Sequence, residues 1–187
     1  EYDLFSKRIA IELNKKQINK NNLDKLMIHR ARVSKNSINR IPIALWLLNK
    51  DNLKKTIVFT ESIKQANYIY QKLRSDDRST TIYHTGVSKK RRVFNLTEFT
   101  KGNYRSLITC TAVDEGLNVP DIEIAIIVSQ SMTRRQRVQR IGRALRKGKI
   151  KALIYTIYIT DEEKDVLIKE FSNLNEISNI QWKKVPI

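Results

Sequence analysis

The chain has 187 residues, enough for one domain with a substantial core and a small appendage, and its 36 Lys+Arg against 19 Asp+Glu give a formal charge of +17. That excess points to a polyanionic partner, nucleic acid before a membrane surface. A single cysteine, Cys110, excludes an internal disulfide and a cysteine-built zinc site, the separated His29 and His84 form no metal pattern, and no apolar run approaches a membrane span.

The opening Glu1-Tyr2-Asp3 carries no signal-peptide pattern, and without an initiator methionine it is expected to be a piece of a longer protein, soluble and intracellular, cytoplasmic if prokaryotic. Apolar residues recur at helical spacing at Tyr2, Phe5, Ile9 and Leu13, at Leu23, Leu26 and Met27, and at Ile38, Ile41, Leu45 and Leu48. These predict two or three helices, with residues 15–22 as a polar loop and 30–40 as a basic stretch. From Thr56 the pattern changes to short apolar runs alternating with amphipathic segments.

Strands are expected at 56–60, 80–84, 106–110, 123–128 and 152–158, with Cys110 in the core. Helices fill the gaps at 62–74, with Ile63, Ala66, Ile69 and Leu73 inward, and at 88–100, 133–146 and 161–173. Capping boxes at Ser62/Gln65, Thr133/Gln136 and Thr160/Glu163 mark three of the starts. Strands alternating with helices of this length imply an α/β fold built on a mainly parallel sheet covered on both faces. The expected organisation is a helical extension over 1–52, an α/β domain over 53–175 and a tail over 176–187.

Chemistry concentrates in Gln139-Arg140-Ile141-Gly142-Arg143-Ala144-Leu145-Arg146. On a helix, Arg143 and Arg146 share a face, where planar guanidinium forks can grip phosphate oxygens. Gly142 costs helix stability and permits a close approach by another backbone or a nucleotide. Such a run could also be a solvated basic face. The segment 107–121 argues otherwise: it reads as a buried strand, then a turn of polar and small residues that includes Gly116, then an exit marked by Pro120. Strand-to-loop transitions are where α/β domains hold ligands.

Together these segments resemble motifs V and VI of superfamily 2 helicases and translocases, in their second RecA-like domain. Upstream and in family order, Thr56-Ile57-Val58-Phe59-Thr60-Glu61-Ser62 resembles motif IV, and Tyr83-His84-Thr85-Gly86 with residues 88–92 resembles the start of the following helix. The resemblance implies a RecA-like parallel sheet flanked by helices and a role as half of an ATP-dependent motor. Its site residues would be Arg143, Arg146 and Gln139 for catalysis, with the two arginines, Gly116 and Asn118 facing the nucleotide. Ser62, Thr111 and Arg92 would contact nucleic acid. Asn118 stands where many members carry aspartate, so it can hydrogen-bond but not pair charge with charge. His84 is expected as a turn or interface residue rather than a base, and Lys89, Lys90, Arg91 and Arg92 as a broad phosphate-attracting surface.

Neither a GxxxxGK[ST] loop nor an acidic Mg²⁺ motif is present, and Asp114-Glu115 and Asp161-Glu162 only imitate the latter. ATP and Mg²⁺ would therefore be held mainly by a first RecA-like domain of the same polypeptide. The GRxLR ending and Gln139 in place of histidine resemble the XPB-like, RadD-like and restriction-subunit-like translocases, which favours duplex DNA over RNA and no membrane partner. Two other classes stand beside this one. A non-enzymatic basic nucleic-acid-binding module would tolerate lysine for arginine, and a small-molecule α/β enzyme would need a glycine-rich loop, which residues 59–64 lack.

Overall fold

The structure is a computed structural model that describes residues 1–76, 79–110, 119, 121–129, 152–171 and 179–185, and the chain divides into two units, Glu1–Ser37 and Ile38–Ile187. The first unit is a pair of packed helices, α1 (Tyr2–Leu13) and α2 (Lys20–Lys35). Phe5 stacks on His29 with ring centres 5.6 Å apart, and the Arg30 guanidinium lies over the Tyr2 ring. Glu12 organises the turn between them. Its buried carboxylate accepts from Lys15 Nζ at 2.8 Å, Asn22 Nδ2 at 2.8 Å and the Asn19 N–H at 3.3 Å. α2 consequently starts inside the stretch expected to be loop, capped by Asn19, whose side chain accepts from the Asn22 N–H.

The second unit contains α3 (Arg40–Lys50), β1 (Thr56–Thr60), α4 (Ile63–Ser75), β2 (Thr80–Tyr83), α5 (Lys89–Lys101), β3 (Ser106–Cys110), β4 (Ile124–Ile127), β5 (Leu153–Thr156) and α6 (Asp161–Phe171). The strands form one parallel sheet in the order β2-β3-β1-β4-β5. β1 lies at its centre, Thr56 level with Ser106 on one side and Ile124 on the other. All five β1 residues are buried, as a parallel strand covered on both faces requires. Alternation sends Val58, Ile82, Ile108 and Ile126 to one face, packed with Ile41, Ala44 and Leu47 of α3 and Ala66, Ile69 and Leu73 of α4. Ile57, Phe59, Leu107 and Ile127 face the other way, against Phe99 of α5.

α3 therefore belongs to the sheet unit, although the sequence groups it with the extension ending at residue 52; its stripe of Ile41, Ala44, Leu47 and Leu48 is part of the main core. Ile63 also departs from expectation. It is 38% exposed, while Ala66, Ile69 and Leu73 of the same helix are buried. β2, β4 and β5 are each shorter than expected by one to three residues, and the helix expected at 133–146 lies outside the described residues.

Both described capping boxes form with the same displacement. Ser62 accepts from the Gln65 N–H at 3.3 Å and Thr160 from the Glu163 N–H at 3.2 Å. The return bonds reach one residue further back, from the Glu61 N–H to Gln65 Oε1 and from the Ile159 N–H to Glu163 Oε2. Glu163 has a second duty, because its other oxygen pairs with Arg40. Arg40 is 1% exposed and also donates through Nη1 to the carbonyls of Val128 at 3.1 Å and Ile157 at 2.8 Å. One guanidinium thus joins α3, the ends of β4 and β5, and the first turn of α6. Arg40→Ala strands a carboxylate and two carbonyls, so urea unfolding should show a loss of about 3 kcal/mol or more, whereas exchange of the exposed Lys90 for Ala should leave stability unchanged.

Candidate functional site at the carboxyl edge of the sheet

The carboxyl ends of β1 and β2 place Ser62 and His84 at one edge of the sheet. β1 and β4 are neighbours whose onward connections run in opposite directions, toward β2 and toward β5. Such a divergence opens a crevice at the strand ends, the usual ligand position in open parallel sheets. Ser62 follows β1 and His84 follows β2, while residues 111–118 follow β3 and the segment from 130 follows β4. Thr111, Gly116 and Asn118 fall in the first of those segments and Gln139, Arg143 and Arg146 in the second, so all six lie outside the described residues.

Ser62 is the N-cap of α4 in extended conformation (φ −133°, ψ 151°), half-buried. Its oxygen accepts from the Gln65 N–H, which leaves its own proton available for a phosphate oxygen. The strand end beneath it is held by Thr60, a buried residue whose hydroxyl lies 3.1 Å from the Thr109 carbonyl of β3.

Arg92 lies on the half-buried side of α5, its guanidinium 5.8 Å from the centre of the Tyr83 ring. Lys89, Lys90 and Arg91 are exposed on the same helix. The basic cluster that is continuous in sequence is thus divided by helical geometry, with one arginine directed to the strand ends and three cations to solvent.

His84 is 3% exposed and uses both ring nitrogens. The Gly86 N–H donates to Nδ1 at 3.1 Å, so Nε2 carries the proton and donates to Asn67 Oδ1 at 3.0 Å. Neither nitrogen is left for proton transfer, which makes His84 a turn-fixing residue. Gly86 lets the backbone come this close, since a Cβ there would stand 3.1 Å from the ring. Asn67, one turn into α4, completes this lock and carries no motif signal that sequence could have used.

Burial first, and the Arg92 charge second, hold His84 below its ordinary pKa of 6.5. As pH falls the unfolded chain binds this proton before the folded chain does. The contribution of His84 to stability is therefore complete above pH 6.5 and is lost as pH drops through that value toward the lower folded pKa. Melting temperature should fall between pH 7.5 and pH 5.5, and His84→Asn should reduce that pH-dependent part of the fall; an unchanged pH response in the variant would contradict this assignment.

Residues 38–148 match the helicase conserved C-terminal domain family. The chain is 32% identical over 125 residues to the DNA 3'-5' translocase XPB2 of Sulfurisphaera tokodaii, covering 67% of this chain and 27% of that protein. It is 33% identical over 134 residues to the pre-mRNA-processing ATP-dependent RNA helicase PRP5 of Vanderwaltozyma polyspora, covering 71% of this chain and 15% of that one. It thus spans less than a third of the length of either relative. Among solved structures, the C-terminal domain of the DEAD-box protein Dbp5 shares the fold with a TM-score of 0.65 at 19% identity, covering 77% of this chain and 83% of that one. The Sulfolobus solfataricus SWI2/SNF2 ATPase C-terminal domain does so with a TM-score of 0.62 at 12% identity, covering 96% and 83%. No helix among the described residues is long and apolar enough to cross a membrane. The five-stranded parallel sheet, its order and the match over residues 38–148 make this chain a member of the helicase conserved C-terminal domain family, the second RecA-like domain of a superfamily 2 helicase.

Proposed function

We propose that the chain is the second motor domain of an ATP-dependent helicase or translocase that acts on duplex DNA, closing onto a nucleotide held by a first RecA-like domain of the same polypeptide. The observation that supports this most is topological. β3 and β4 both border β1, whose end Ser62 follows, and in sequence the segments carrying Gly116 and Asn118 and carrying Gln139, Arg143 and Arg146 come after the carboxyl ends of β3 and β4. The loop between β1 and α4 consists of Glu61 and Ser62 without glycine, so it offers no backbone cradle for a triphosphate. The residues present fit the far end of a nucleotide, where cations meet the γ-phosphate, and Mg²⁺ is assigned to the first domain.

In this mechanism Arg143 and Arg146 stabilise the charge that develops during phosphoryl transfer to water, while Gln139 helps to position water or phosphate. Gly116 permits close backbone approach and Asn118 hydrogen-bonds at the nucleotide side. Ser62, Thr111 and Arg92 hold phosphates of the tracked strand, which fixes register without reading sequence. DNA is favoured over RNA by the GRxLR ending and Gln139, and by the likeness to a DNA translocase; the likeness to RNA helicases keeps an RNA substrate as the second reading. In a non-enzymatic basic module, lysine would serve as well as arginine.

The test uses the full-length parent. Arg146→Lys and Arg143→Lys should each lower DNA-stimulated ATP hydrolysis by roughly 10³-fold, the scale of an arginine finger, with DNA binding retained. Unchanged turnover, or a parent without ATPase activity, would favour the basic module. The isolated chain should bind DNA weakly and lose it as salt rises, with negligible ATP turnover.

A further inference from the structure

The inner face of α5 is fully engaged. Phe99 and Asn95 are buried, and Asn95 Nδ2 donates to the Ile82 carbonyl at 2.7 Å. A helix packed on a sheet in this way needs only polar residues outside. α5 instead exposes two large apolar side chains in succession, Val93 at 58% and Phe94 at 54%. Ser88, Lys90, Arg91 and Phe94 line an open hollow there. Lys90 precedes Phe94 by four residues and Arg91 by three, so both cations share its side of the helix.

The surroundings indicate what the hollow accepts. Among the described residues Lys89, Lys90 and Arg91 have no acidic partner, and the one acid of the helix, Glu98, is engaged by Lys101 and Asn103. An aromatic ring set among uncompensated cations suits a polyanion that also carries flat apolar faces. We propose that the outer face of α5 is a stacking platform for an unpaired stretch of nucleic acid, with a base against Phe94 and flanking phosphates on Lys90 and Arg91. The strand is unpaired because bases inside a duplex are already stacked on their neighbours.

The turn that leads into α5 meets the start of α4, where Ile63 Cδ1 lies 3.6 Å from where a Cβ on Gly86 would stand. Ser62, which caps α4, and the turn that opens α5 are thus close to one another. The proposal rests on the nucleic-acid part of the proposed function and extends it to a site with its own chemistry.

Binding of this chain to a fluorescein-labelled oligothymidylate, followed by anisotropy across a salt series, tests the proposal. Phe94→Ala should weaken binding at least about fivefold at every salt concentration with the slope of log affinity against log salt unchanged, and Phe94→Trp should restore it. Lys90→Ala should reduce that slope by about 0.7, the signature of one lost phosphate contact to a single strand. A 2-aminopurine in the oligonucleotide should be quenched by the wild type and less by Phe94→Ala, and duplex binding should be indifferent to that substitution. Binding by the wild type with Phe94→Ala unaffected, as expected if the apolar pair serves a protein partner, would overturn the platform and leave the motor assignment standing. Equal losses on duplex and single strand would also overturn it. No binding by the wild type to the single strand, with duplex binding retained, would overturn the platform alone, and no binding to either would defeat both the platform and the nucleic-acid assignment beneath it.

Discussion

A guanidinium removed from water must find partners for its charge and its N–H groups, and Arg40 meets that demand by reaching three elements. Its location matters as much as its burial. The carbonyls it holds belong to Val128 and Ile157, one residue beyond β4 and β5, and the segment bearing Gln139, Arg143 and Arg146 leaves the first and returns before the second strand begins. Arg40 therefore ties down the point from which that segment departs, and through Ile157 it ties the same edge of the neighbouring strand. Glu163 closes the arrangement by capping α6 with the oxygen that Arg40 does not use. Apolar packing alone sets separations between layers loosely; a charged group with fixed donors sets direction as well.

The two sides of β1 are fastened by different polar groups. Toward β3 and β2 lie Ser62, the His84 turn and α5, held by Thr60, Asn67 and Gly86. Toward β4 and β5 lies the Arg40 network, which holds the carboxyl ends of both strands. A central strand paired on both sides gives the two a common rigid reference. Shifts at one are then transmitted through packed β-structure, which resists continuous deformation.

Much of this was legible because local and global signals agree. Thr56 to Thr60 and Ser106 to Cys110 are apolar, β-branched and bounded by polar residues, and the strands occupy those residues. Ser62 and Thr160 begin helices where their capping boxes place them. What escaped depends on partners distant in sequence. Arg40 ends a basic stretch whose other cations give no reason to single it out, and Glu163 is fully accounted for by capping until its second oxygen is seen. Asn19 starts α2 without the Glu or Gln that a capping box supplies, so the loop looked longer than it is. The division of Lys89, Lys90 and Arg91 from Arg92 needed the orientation of α5 against β2, which helical periodicity cannot fix for a run of like residues.

The placement of β1 has a consequence for biosynthesis. Of the five strands of this sheet it leaves the ribosome first and ends at the centre, yet β2, the next of them to emerge, is not its neighbour. Its partners, beginning level with Thr56 at Ser106 and Ile124, come later. Until they arrive a short, uncharged, β-prone segment has both edges open, with loop closure still to be achieved on each side. The nascent chain is thus most vulnerable to intermolecular pairing while its eventual core strand waits, and the flanking cations at Lys54, Lys55 and Lys64 sit where gatekeeper charges would be placed to protect it.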